Sequence, residues 1–146
     1  MNTIILYYTF GGATKKEAER LAAELEAPLY RVREVHNRFF LAAFIPGGMM
    51  ARRRKAAAIR PLTVDLSAYD RIIIGCPIWA AYPAPAFNAL VRLLPANKEV
   101  ELFFCSGSGE AYPSEPGTKE LVERQGCRVV SYRNVRTGVA PNKLKE

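Results

Sequence analysis

Thr9 and Thr14 bracket Phe10-Gly11-Gly12-Ala13, the first place in this chain where side chains and backbone could act on a ligand together. Residues 3–8 before them read Thr-Ile-Ile-Leu-Tyr-Tyr, and after them apolar residues fall at 18, 21, 22 and 25. The first pattern is that of a strand buried on both faces of a parallel sheet, the second that of an amphipathic helix. A strand, a glycine turn and a helix start aim free N–H groups and the positive end of a helix dipole at one spot, which favours a phosphate. The stretch holds neither G-x-G-x-x-G nor G-x-x-x-x-G-K-[ST]. Its shortness and its hydroxyls point to a single phosphomonoester.

Other side chains suited to chemistry are sparse. His36, the one histidine, follows a short alternating run and reads as a surface or capping residue. Cys76, Cys105 and Cys127 are scattered and make neither a metal set nor a disulfide framework, so a reducing cytoplasm is the expected location. Cys76 and Cys105 end strands that a parallel sheet would set side by side. Two small buried residues is the reading preferred there over a redox pair. No acid–base pair stands out, so no catalytic side chain and no metal ligand is assigned.

The elements that must carry these residues follow from periodicity. Residues 29–35 alternate apolar and polar, as a strand near a sheet edge does. Residues 37–60 hold an apolar cluster (Phe39, Phe40, Leu41, Phe44, Ile45), an interruption at Pro46-Gly47-Gly48, and the basic run Arg52-Arg53-Arg54-Lys55. They read as a helix, or two pieces of one, with the basic side either solvated or docking a partner. Residues 70–76 are a second buried strand, ending in a loop over 77–85 that contains the only tryptophan. A helix over 85–94 turns Phe87, Leu90, Val91 and Leu94 inward. Residues 100–105 form another strand, ending in a loop over 106–113. A helix over 118–125 stops at Gly126, where a C-terminal glycine belongs, and 129–132 make the last strand.

Strand and helix alternate throughout, which implies a single α/β domain over 1–146 with a doubly wound parallel sheet and helices on both faces. Ligands in such sheets bind beyond the carboxyl ends of the strands. The loops 9–14, 77–82 and 106–112 all fall at that edge. The net charge of +7 reflects either a basic solvated surface or attraction to an acidic partner. No aromatic interleaving or recognised module suggests nucleic acid, and no signal peptide or apolar run of membrane length is present.

Taken together, Ile4-Ile5-Leu6-Tyr7-Tyr8-Thr9 with Gly12 and Thr14, then residues 69–79 ending in Pro77-Ile78-Trp79, then Cys105-Ser106-Gly107, resemble the flavodoxin-like family of FMN-binding proteins over nearly the whole chain. The resemblance implies strand order 2-1-3-4-5 and one non-covalent FMN. Its phosphate would lie on the hydroxyls of Thr9 and Thr14 and the backbone of Phe10, Gly11, Gly12 and Ala13. The ring would lie between Pro77, Ile78, Trp79 and Ala80 on one side and Ser106, Gly107, Ser108, Gly109 and Tyr112 on the other. Trp79 would stack on or border the ring, and Tyr112 would meet its other face.

Three departures qualify this. Gly11 stands where the family usually has a third hydroxyl, and Ala13 where it often has asparagine. Little chain follows the last strand, so the C-terminal helix is shortened or missing; it is a stub, or a partner chain, a second copy among the candidates, covers that face. The chain is basic, so its redox partner protein would be acidic. Ala80-Ala81, with Pro83 and Pro85 close by, should limit movement of the second loop, since a left-handed conformation costs alanine roughly 1–2 kcal/mol. The leading function is FMN-dependent electron transfer. The rivals are an NAD(P)H-dependent FMN or quinone reductase on the same fold, and a domain that kept the fold and lost FMN.

Overall fold

The structure is a computed structural model that describes residues 1–36 and 46–138. Its elements are β1 (Thr3–Tyr7), α1 (Ala13–Leu25), β2 (Leu29–Arg31), α2 (Pro46–Arg52), a 3₁₀ turn (Leu66–Ala68), β3 (Arg71–Trp79), β4 (Tyr82–Pro83), α3 (Pro85–Val91), β5 (Glu99–Ser106), α4 (Glu115–Glu123) and β6 (Arg128–Arg136). The five long-range strands pair in parallel in the order β2-β1-β3-β5-β6. That is the 2-1-3-4-5 order that the resemblance implies, with the short β4 left out of the numbering. The short β4 adds an antiparallel hairpin to the end of β3.

Alternation within β1 sorts the core into two layers. Ile4 and Leu6 join Ile72 and Ile74 under Ala51 of α2, Phe87 and Leu90 of α3, and Val122 of α4. Ile5 and Tyr7 join Ile73 and Phe103 under Ala18, Leu21 and Ala22 of α1. Burial on both faces is why these strands read as continuous apolar runs. The same alternation separates the two strand-end cysteines: Cys76 lies in the first layer and Cys105 in the second. Side chains on opposite faces of a sheet cannot bridge without moving the backbone, and all three cysteines are free.

Several boundaries differ from the sequence reading. β2 is three residues long, with a separate bridge between Glu34 and Ile59 beyond it. Pro46-Gly47-Gly48 starts a helix rather than interrupting one, because proline suits the first helical turn. The apolar cluster at residues 39–45 lies outside the described residues. β6 extends four residues past the expected end, to Arg136, and the question of a C-terminal stub falls on residues 139–146, also outside them.

Side chains shield the sheet face beside α1. The Phe103 ring lies over Gly75, where an added Cβ would come within 2.0 Å of it. The Arg133 guanidinium caps that ring at 5.6 Å and is held by Glu17 at 2.9 Å. Among the described residues β6 forms the outer edge of the sheet, and its register with β5 shifts between Val100 and Glu101, leaving Val130 without an opposite residue.

Candidate functional site

Three loops meet beyond the carboxyl ends of β1, β3 and β5. The first opens α1. Gly11 and Gly12 have φ of 92° and 99°, a region glycine enters freely and other residues reach only at a cost. Glycine at position 11, where a hydroxyl is more usual, is therefore demanded by the backbone of this turn. No side chain caps α1, so its first N–H groups face outward, as the phosphate reading needs.

The two threonines are more internal than the sequence suggested. Thr9 is 4% exposed, and its Oγ1 accepts a hydrogen bond from Gly12 N at 3.1 Å while keeping its own proton to donate. Thr14 is 1% exposed, with its hydroxyl hydrogen-bonded to the Cys105 thiol. Burial pushes that thiol up to about 11, and the Thr14 hydrogen bond opposes the shift.

The second loop departs further from expectation. β3 continues through Pro77 and Ile78 to Trp79 and then folds back through Ala80 and Ala81 to pair with Tyr82 and Pro83. Both alanines are left-handed, with φ of 52° and 71°, as the turn of a two-residue hairpin requires. The cost that was expected to keep them out of this conformation is met instead, and the surroundings must hold it. Trp79 is 0% exposed, edge-on to Tyr8 at 6.0 Å and to Phe10 at 5.8 Å. Its indole belongs to the core, with no face open for stacking. The extension of β3 carried it inside. Phe10, Tyr82 and Tyr112 keep partial exposure and are the aromatic side chains left around the loops.

The third loop is stitched to itself. Gly109 N donates to Ser106 Oγ at 3.0 Å, Glu110 N to Ser108 Oγ at 3.3 Å, and the Ser108 and Tyr112 hydroxyls lie 3.5 Å apart. Gly109 has φ 68°, and an added Cβ would sit 2.6 Å from that of Arg136, so only glycine fits there. Beyond β6, Thr137 N and Gly138 N donate to the carbonyls of Ser106 and Gly107. The exposed Gly107 and Ser108 stand at the tip.

Arg54 joins these parts, a role invisible in the sequence. Its guanidinium donates to Thr118 Oγ1 at 2.7 Å and to Ser114 O at 3.0 Å, and stacks 4.8 Å from the Tyr82 ring centre. Ser114 Oγ donates to Ala81 O at 2.6 Å. The left-handed hairpin, the end of α2 and the start of α4 are thus tied together. Partial burial holds the Arg54 pKa below its usual range. The basic run is therefore not uniform: Arg52, Arg53 and Lys55 face water, and Arg54 does not. Gly48 of α2 supports the hairpin from the other side, where a Cβ would lie 3.3 Å from that of Ala80. The buried hydrogen bond from the Tyr8 hydroxyl to Glu34 was equally unforeseen. Among the described residues no cluster of His, Cys, Asp or Glu could hold a metal, and no helix is long and apolar enough to cross a membrane.

No family model matches the sequence, and no curated protein does. Solved structures do. A flavoprotein from Lactobacillus acidophilus NCFM, crystallised in complex with FMN, is 27% identical, with 90% of this chain and 91% of that one covered and a TM-score of 0.69. A proposed flavoprotein from Bacteroides eggerthii DSM 20697 is 18% identical, with 95% and 89% covered and a TM-score of 0.77. Oxidised flavodoxin 1 from Bacillus cereus is 17% identical, with 98% and 89% covered and a TM-score of 0.55. By its strand order, by the place where its loops converge and by these likenesses, the chain has the flavodoxin-like fold.

Proposed function

We propose that the chain binds one FMN at this edge of the sheet and serves in electron transfer. The observation that carries the reading is the left-handed Gly11-Gly12 turn opening an uncapped α1, with two further loops beside it. The similar Lactobacillus acidophilus protein, crystallised with FMN, supports the choice of ligand. The residues fit the group. The turn and first helical N–H groups would receive the phosphate, with Thr9 donating its free hydroxyl proton. Gly107 and Ser108 would offer backbone amides to the polar edge of the ring. Bound FMN supplies the redox chemistry, and the protein sets access and potential. Three free buried cysteines suit a reducing cytoplasm.

One observation favours a second reading, an NAD(P)H-dependent FMN or quinone reductase. With Trp79 inside the core, its indole does not cover the ring, which leaves more room for a nicotinamide or quinone. Oxidation of NADPH by the FMN-loaded protein, with a quinone or free FMN as acceptor, separates the two.

Titration of the flavin-free protein with FMN and with riboflavin tests the phosphate assignment. Two hydrogen bonds to a charged group, at roughly 1.5 kcal/mol each, make FMN about a hundredfold tighter. Equal affinity for both sinks the assignment. A chain that takes up neither flavin supports the alternative in which the fold outlived its cofactor.

A further inference from the structure

Charge is segregated in this chain. Residues 27–64 contain eight of the 21 Lys and Arg residues and one of the 14 Asp and Glu residues, so this quarter carries the entire excess of seven positive charges. Elsewhere several basic side chains pair with acidic ones: Arg20 with Glu17 and Glu24, Arg71 with Glu99 and Glu101, Lys119 with Glu115, Arg124 with Glu120, Arg128 with Glu99, Arg133 with Glu17. Arg33, Arg52, Arg53, Lys55 and Arg60 are exposed, and none has an acidic partner among the described residues.

The fold draws these five together on firm backbone. Arg60 N donates to Arg33 O at 2.8 Å, Val35 N to Ala58 O at 2.9 Å, and the buried Asn88 amide to Lys55 O at 3.0 Å. Met49 and Val35, 52% and 45% exposed, stand inside the set: Arg53 N bonds to Met49 O, and Val35 follows the Glu34–Ile59 bridge. Exposed apolar side chains ringed by charge are the make-up of a protein-docking surface. Among the described residues the face has no exposed aromatic side chain on which bases could stack. Its helix among the described residues, α2, has seven residues and two buried glycines, unlike a helix that lies in a lipid interface. Through Gly48 and Ala80 it adjoins the candidate site.

We propose that Arg33, Arg52, Arg53, Lys55 and Arg60 form the docking face for an acidic electron-transfer protein. The FMN reading is needed only for what passes between the two partners, not for their association. Electrostatic complementarity of this kind speeds encounter and sets orientation.

Calorimetric titration of the FMN-loaded chain and of the flavin-free chain with an acidic [2Fe–2S] ferredoxin tests the docking. Arg52→Gln/Arg53→Gln/Lys55→Gln is compared with Arg20→Gln/Arg124→Gln/Arg128→Gln, which makes the same change in net charge. Losing three exposed pairs should weaken binding about tenfold in the first variant and little in the second. Arg33→Gln/Arg60→Gln should weaken it as well. Raising salt from 0.05 to 0.5 M should weaken the wild type and have less effect on the first triple variant. Thermal midpoints and FMN affinities that match the wild type establish that the variants are folded. No binding of the ferredoxin, or equal weakening by both triple variants, overturns the proposal. So does tighter binding at equal salt to single-stranded DNA or to phosphatidylserine vesicles. Ferredoxin binding by a chain that takes up no flavin upholds the docking face while the FMN reading fails.

Discussion

Ala81→Gly should stabilise this protein, although glycine usually weakens a fold. Ala81 sits at φ 71° in the turn between β3 and β4, where its Cβ costs roughly 1–2 kcal/mol. Glycine removes that cost but gives the unfolded chain more freedom, worth about 0.4–1 kcal/mol in the other direction. The substitution deletes only a half-exposed methyl, and the bond from Ser114 Oγ to the Ala81 carbonyl is kept. The net gain is about 0.5–1 kcal/mol. In urea, at a slope near 2 kcal/mol/M, the midpoint rises by roughly 0.4 M with the slope unchanged. Ala23→Gly, the same chemical change on the exposed face of α1, should lower stability by about 1 kcal/mol. The reasoning rests on the opposite signs of these two results. A fall in midpoint for Ala81→Gly would show that the turn is not strained.

Arg54→Met should cost about 2 kcal/mol, since it removes two charge-assisted donations, and Arg54→Lys should not rescue it, because an ammonium cannot reach Thr118 and Ser114 while stacking on Tyr82. Urea midpoints of the three proteins measure this, and full rescue by lysine would refute the fork geometry. Gly75→Ala places a methyl inside the Phe103 ring and should cost about 1–3 kcal/mol or more, with Gly75→Ala/Phe103→Leu recovering part of it in thermal melts. Cys105 has a folded pKa raised from 9.0 to about 11. The unfolded chain therefore loses this proton first, so the group leaves stability unchanged below pH 9 and lowers it as pH rises from 9 to 11. Cys105→Ala should make the alkaline fall in stability shallower over that window, and an unchanged slope would show that the thiol is not desolvated.

The sheet was legible because its physics is local. Residues 3–8, 70–76 and 100–105 are apolar on both faces, and burial on both faces is what a central parallel strand demands. The glycine turn was legible for the same reason, since few other residues hold positive φ. The second loop was not. Nothing in Trp79-Ala80-Ala81-Tyr82 signals a hairpin, because alanine is the wrong residue for that turn, and the support from Ser114, 33 residues away, is a tertiary fact. Arg54 was hidden by its neighbours. Four consecutive basic residues read as one surface, yet the left-handed backbone at Arg54 (φ 55°) accompanies its departure from the water-facing set. Trp79 shows the limit of transferring a role by motif, because three further residues of strand moved its indole from the rim to the core.

β6 has a consequence beyond the site it borders. Nine residues of edge strand expose a row of backbone donors and acceptors about 30 Å long, on which another chain could crystallise into a shared sheet. Two such edges meeting antiparallel about Tyr132 would set Arg128 against Arg136, and two meeting parallel in register would set every arginine against its own copy. Like charges directly opposite destabilise a strand pair, and the bulge that Val130 makes against β5 adds local twist to the edge. The strand that closes the fold thus also keeps it from propagating, and because the guard is partly Coulombic, concentrated salt is the condition under which filaments would begin.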